Sequence, residues 1–194
     1  MTEHSSDYSK WLINWKTNYS SQSKSRRVID LYEIILKSEF YDTDYWYFAG
    51  DQDINSRLVS FTKEDWQKLR EDLANWKSNQ IEILSLVLST VKNSSALSDT
   101  SPLESMKSEC YAYILTVCDD DLFIDLIDNI HFLKLNANKD INVLNRIKNR
   151  LLKLKDSPVI QNSGSSEFFY TKKRYEDFIV LIDTEIEKAD TKNK

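Results

Sequence analysis

The sequence predicts an all-α protein of about eight helices, and three observations carry that prediction. The chain of 194 residues has only two Gly and two Pro. At average usage, roughly 7% Gly and 5% Pro, it would hold about fourteen and about ten. Gly supplies positive-φ turns and Pro marks strand edges, so their scarcity argues against barrels, sandwiches and Gly-rich phosphate loops. Apolar residues recur three and four apart through most of the chain, the period of an amphipathic helix. Helix-start signals stand at Thr62, Ser101 and about Lys139, 39 and 38 residues apart. Periods near 40 are those of HEAT-like helix pairs. A HEAT-like array and an irregular helical bundle both fit that spacing.

The elements follow in order. Asp7 precedes a stripe of Tyr8, Trp11, Leu12, Trp15 and Tyr19, predicting a capped helix over 7–20. Ser20 to Ser23 is polar and reads as a loop. Val28, Leu31, Tyr32, Ile35 and Leu36 predict a second helix, about 25–39. Residues 40–61 break the period. Six aromatics (Phe40, Tyr41, Tyr45, Trp46, Tyr47, Phe48) and four acids (Asp42, Asp44, Asp51, Asp53) crowd into 40–53. This reads as a long connection with a short helix or hairpin near 53–60, and long connections are often functional. Thr62 then opens a helix with an acid three residues on, a variant capping box, and Trp66, Leu69, Leu73 and Trp76 form its stripe. Ile81, Leu84, Val87, Leu88 and Val91 mark the next helix, about 79–93.

Ser101-Pro102-Leu103-Glu104 offers an N-cap, a Pro at the first helical position and a capping-box acid. Leu103, Met106, Cys110, Tyr113, Ile114 and Val117 follow on one predicted face. Asp119, Asp120 and Asp121 break this helix and cap the next, which carries Leu122, Phe123, Leu126, Ile127, Ile130 and Leu133. Ile141, Leu144, Ile147, Leu151 and Leu154 predict a seventh helix. Phe168 to Ile186 predict the last, before a polar, frayed tail at 190–194. The length fits one helical domain over 1–194. It comprises a helix pair at 7–39, the aromatic–acidic connection at 40–61 and helix-pair repeats over 62–189.

Charge and cysteines bound the function. The net charge is −5, from 26 basic and 31 acidic residues. That disfavours general nucleic-acid binding, which needs a basic footprint to replace counterions. Lys outnumbers Arg by 19 to 7, so bidentate phosphate forks are scarce. Cys110 and Cys118 are eight residues apart on one predicted helix, ~12 Å at ~1.5 Å per residue. Disulfide Cα atoms lie within ~7 Å, so both are expected as free buried thiols in a reducing cytoplasm. No signal peptide and no membrane span is expected.

The chemistry-bearing constellations resolve one by one. Asp51 to Asn55 resembles the opening of a calcium loop. Ser56 stands where Gly is needed and Thr62 where a bidentate Glu is needed, which excludes it. No Ser-His-acid order, Cys-x-x-Cys or phosphate loop occurs, and no cofactor is expected. Asp121, Asp125, Asp128 and His131 share a helix and define the enzyme alternative, a metal-dependent hydrolase. A basic run of Lys134, Lys139, Arg146, Lys148, Arg150, Lys153 and Lys155 against Asp140 reads as a solvated face or a contact with the acidic helix before it. The segment from Ser38 to Asp65 has two basic and seven acidic residues. Its Tyr and Trp side chains are of the type enriched at interface hot spots. Its carboxylates would steer a basic partner.

Two stretches carry a resemblance. Ser60 to Leu69, with Phe61-Thr62, Asp65-Trp66 and Leu69, is followed by Trp76-Lys77-Ser78-Asn79-Gln80 and Leu84. Over about 60–135 the pattern resembles helical immunity proteins encoded beside bacterial polymorphic toxins. The resemblance implies a cytoplasmic, non-catalytic protein that binds a cognate toxin domain, basic in charge, and occludes its active site. No family site residues come with it. The residues expected at the interface are Asp42, Asp44, Tyr45, Trp46, Tyr47, Asp51 and Asp53, with Asp119, Asp120 and Asp121 as a second acidic edge. A helical scaffold in which the aromatic segment is core remains the other alternative.

Overall fold

The computed structural model describes residues 13, 15, 17–38, 51–89, 102–127, 140–157 and 172–192. Among them the protein is all-helical, with eight α-helices and no strand. We number the helices α1 (Arg26–Ser38), α2 (Asp51–Val59), α3 (Lys63–Asp72), α4 (Ser78–Ser89), α5 (Pro102–Val117), α6 (Asp120–Leu126), α7 (Ile141–Leu154) and α8 (Lys172–Lys192). One 3₁₀ turn, Leu73–Asn75, follows α3 directly. The first residues of α3, α5 and α7 are 63, 102 and 141, so consecutive starts are 39 residues apart both times.

The chain forms two compact units. Unit 1 is Met1–Ser95 with Val117–Leu122, and unit 2 is Ala96–Thr116 with Phe123–Lys194. In unit 1, α1 packs on α2, α3 and α4, and α2 also packs on α4. The α1 stripe is the one its spacing predicts: Val28, Leu31, Tyr32, Ile35 and Leu36 are all buried. They meet Ile54 and Leu58 of α2, Trp66 and Leu69 of α3, and Leu84 and Leu88 of α4 in a shared core. Burying each Leu or Ile removes enough apolar surface from water to contribute about 1.5–3 kcal/mol.

The start of α3 shows why the chain turns there. Thr62 Oγ1 accepts from the Asp65 backbone N–H, and Asp65 accepts from the Thr62 N–H, closing the predicted capping box. Phe61 precedes the cap, and its ring meets Trp66 edge-on at 5.4 Å between centroids. An apolar pair across the cap in this way fixes the angle at which the chain enters the helix. The start of α4 uses Gln80 similarly: its Oε1 accepts from the Lys77 N–H, at 3.0 Å.

In unit 2, α8 packs along α7. Asp140 caps α7, accepting from the Asn142 N–H at 2.8 Å. Leu144, Ile147 and Leu151 of α7 are buried, as are Tyr175, Phe178 and Ile182 of α8. The Tyr175 hydroxyl donates to the Leu151 carbonyl, at 2.9 Å, and Lys148 pairs with Asp183 at 2.6 Å. Both contacts set the register of the two helices.

Of the two alternatives expected near 53–60, the short helix forms: it is α2, which starts slightly earlier, so Asp51 and Asp53 sit in its first turn. Acids there oppose the positive end of the helix dipole. The buried face of α5 differs from its predicted stripe. Cys110 and Ile114 are buried as expected, but Lys107, Ser108, Tyr111, Ala112 and Leu115 are buried too, whereas Leu103, Met106, Tyr113 and Val117 are only half-buried. Polar bonds shift this face: Tyr111 donates to the Leu126 carbonyl at 2.7 Å, and Arg150 donates to the Leu115 carbonyl at 3.1 Å. Finally, α8 continues to Lys192, so Asp190 to Lys192 are helical and not a frayed tail. The expected cap at Ser101 and the helix continuation past 127 lie outside the described residues.

Candidate partner-binding surface

Five of the ten residues singled out for a partner are described, and all five lie in unit 1. Asp51 is half-buried and Asp53 exposed at the start of α2. Asp119, Asp120 and Asp121 are exposed at the start of α6. Asp42, Asp44, Tyr45, Trp46 and Tyr47 fall outside the described residues.

The three aspartates at 119–121 divide by role. Asp119 is a fold residue: Oδ1 accepts from the Leu122 N–H at 2.8 Å, and Oδ2 accepts from the Ser78 hydroxyl. It therefore caps α6 and ties that turn to the first residue of α4. Asp120 and Asp121 lie in the first turn of α6 with their side chains toward solvent. Carboxylates so placed project charge without being consumed by the core.

Charge follows the division into units. Residues 1–95 and 117–122 hold 17 acidic and 12 basic side chains, a net of −5. Residues 96–116 and 123–194 hold 14 and 14, a net of zero. The whole net charge of the chain is thus carried by unit 1. A field of one sign on one unit raises the encounter rate of an oppositely charged partner.

Sequence reasoning missed a carboxylate of this unit whose acceptor sites are all taken. Asp72 is 3% exposed and accepts four hydrogen bonds. Its Oδ1 takes the Gln22 N–H at 2.7 Å and the Asn75 side-chain amide at 3.1 Å. Its Oδ2 takes the Ser21 hydroxyl at 2.5 Å and the Trp76 indole N–H at 2.8 Å. A carboxylate has about four lone-pair sites, so none is left for a substrate. Asp72 lines a cleft of about 350 Å³ with Gln22, Ser23, Lys24, Lys68, Glu71 and Asn75. The i, i+4 pairing of Asp72 with Trp76 was readable in the sequence; its pairing with Ser21 and Gln22, about fifty residues away, was not.

Asp65 is the second such hub. Besides its capping role it accepts from the Ser25 hydroxyl at 2.9 Å and from Arg27 at 2.8 Å. Burial pushes its carboxyl up, but the bonds from Thr62, Arg27 and Ser25 outweigh burial and hold it well below the usual carboxylate range. Exposed Glu71 is also lowered, by the bonds from Lys68 and Gln67. Burial raises the Tyr175 phenol, with Asp156 adding to the effect.

For the hydrolase alternative, Asp121 and Asp125 are exposed on α6, and Asp128 and His131 lie outside the described residues. No group of three His, Cys, Asp or Glu side chains able to hold a metal occurs among the described residues. Within the basic run, Arg150 sits over the Phe123 ring at 4.2 Å as well as bonding Leu115. Cys110 and Cys118 are buried and not joined in a disulfide. No helix among the described residues is long and apolar enough to cross a membrane.

The geometry defines an all-α protein whose net charge sits on one of its two units. The chain matches no protein-family model, no curated protein and no solved structure.

Proposed function

We propose that the protein is a non-catalytic binding module that acts as an immunity protein: it engages a basic toxin domain and occludes its active site. The observation that carries this reading is the concentration of the entire net charge of −5 in unit 1. Exposed Asp53, Asp120 and Asp121 lie in that unit, and the aromatic–acidic residues Asp42, Asp44, Tyr45, Trp46 and Tyr47 add hot-spot side chains to it by sequence. Such a protein works beside its toxin in the cytoplasm and needs no cofactor, nucleic acid or membrane.

The test is growth protection together with co-purification, using the protein encoded beside this chain as the candidate toxin. The expected result is a stable complex and protected cells. Changing Asp120 and Asp121 together to Lys should weaken the complex without unfolding the protein. A folded double variant that binds and protects like the parent would overturn the assignment of this edge. The absence of any complex or protection with the parent protein would overturn the immunity reading itself.

A further inference from the structure

Residues 19–24 cross unit 1 between Asn18 and the cap of α1 at Ser25, with no regular secondary structure. They carry Tyr19 and then five small or polar side chains. Their attachments to the helices are nearly all polar. The Ser20 N–H donates to the Tyr32 hydroxyl at 2.8 Å, and the Ser20 hydroxyl donates to Gln80 Oε1 at 3.1 Å. Ser21 and the Gln22 N–H occupy half of the acceptor sites of Asp72. The apolar contribution is the Tyr19 ring, edge-on to Tyr32 at 5.0 Å. Beneath the segment lie Tyr32 and Gln80, both 0% exposed, and Asp72.

We propose that residues 19–24 are a polar latch that opens as a unit while α1, α3 and α4 stay folded, and so controls whether Asp72, Gln80 and Tyr32 face water. The physical reason is an imbalance between the two kinds of contact. A neutral hydrogen bond exchanged for water contributes little net free energy, and a bond to a carboxylate contributes more, so most of the strap's hold lies at Asp72. The strap has few apolar contacts to lose, whereas the helices beneath bury Leu31, Ile35, Leu69 and Leu84 completely. Opening exposes a carboxylate, an amide and a phenol hydroxyl, which water solvates, and parts the ring contact between Tyr19 and Tyr32. The apolar core stays covered by the helices themselves. Segments of this kind open at lower free energy than the core they cover. The ends of the strap are tied by polar bonds as well: Asn18 accepts from Lys77 and Gln80, at 2.5 and 3.1 Å, and Ser25 donates to Asp65.

Residue-resolved hydrogen exchange tests the latch on the intact chain. The amides of Ser20 and Gln22, bonded only to side-chain oxygens, are expected to exchange about ten-fold or more faster than those of Leu31 and Ile35 in α1. Asp72→Asn removes acceptor sites and should speed Ser20 and Gln22 further while α1 is unchanged. Ser21→Ala, which deletes one strap bond and leaves the carboxylate, should do the same to a smaller extent. It also keeps the test alive if Asp72→Asn does not fold. Equal exchange of strap and α1 amides in the parent protein would overturn the latch. So would a Ser21→Ala variant in which strap and α1 protection fall together.

Discussion

Asp65 binds two helix starts at once. It closes the capping box of α3 through Thr62 and holds the first turn of α1 through Ser25 and Arg27. Because its carboxyl is lowered in the folded protein, it favours folding most when ionised. The contribution is fully present above about pH 4, the ordinary aspartate value. It is lost as pH falls through the folded value. Urea denaturation at pH 7 and near pH 3 should show a smaller difference in Asp65→Asn than in the parent. At neutral pH, Thr62→Ala should lower stability by about 1 kcal/mol, the usual cost of a lost N-cap. The Thr62 and Asp65 pairing was legible as a spacing of three residues before an apolar stripe. Nothing local announces that Ser25 and Arg27 come to the same carboxylate. Capping is a bond between near neighbours, whereas a shared acceptor depends on where two helices meet.

At the scale of elements, the stripes of α1, α3, α4 and α6 could be read directly. Their buried residues recur three and four apart and meet core on one side. Leu31→Ala, at 0% exposure in α1, should cost about 2–5 kcal/mol by the cavity it leaves. The measurement is the shift of the denaturation midpoint. The face of α5 was not legible, because Lys107 and Ser108 are buried and a pattern rule assigns them to solvent. Lys107 lies 3.5 Å from Glu104, one turn back, so its charge is accompanied inside the unit. The aspartates of 119–121 separate at this scale too. Asp119→Ala should destabilise by about 1 kcal/mol, since α6 loses its cap. Asp121→Asn should stay within about 0.5 kcal/mol, as exposed substitutions do. Thermal melts of the two variants distinguish the structural acid from the surface one.

For the whole molecule, the net charge has an address. Unit 1 carries −5 and unit 2 carries zero, although the composition alone distributes charge to neither. If the proposed partner binds unit 1, association should slow as salt rises from about 0.05 to 0.5 M, while dissociation changes less. Stopped-flow or surface-based association rates measure this. The same titration with a partner bound through apolar contacts would leave the association rate nearly flat. The alternation of helix starts at 63, 102 and 141 belongs to this scale as well, and it was visible as spacing before any helix was located.

By itself the sequence determined that the protein is helical, where several helices begin, and which residues most of them bury. Those features depend on contacts between residues three or four apart, which spacing encodes. Tertiary structure alone decided that Asp72 is saturated by Ser21, Gln22, Asn75 and Trp76, that Asp119 is a cap tied to Ser78, and that Lys107 is interior. It also decided that Asp51 and Asp53 open a helix. A carboxylate looks the same in a sequence whether it faces water or four donors. The difference lies in which distant donors the fold delivers to it, and here that separates the acids that hold the protein together from those that remain exposed.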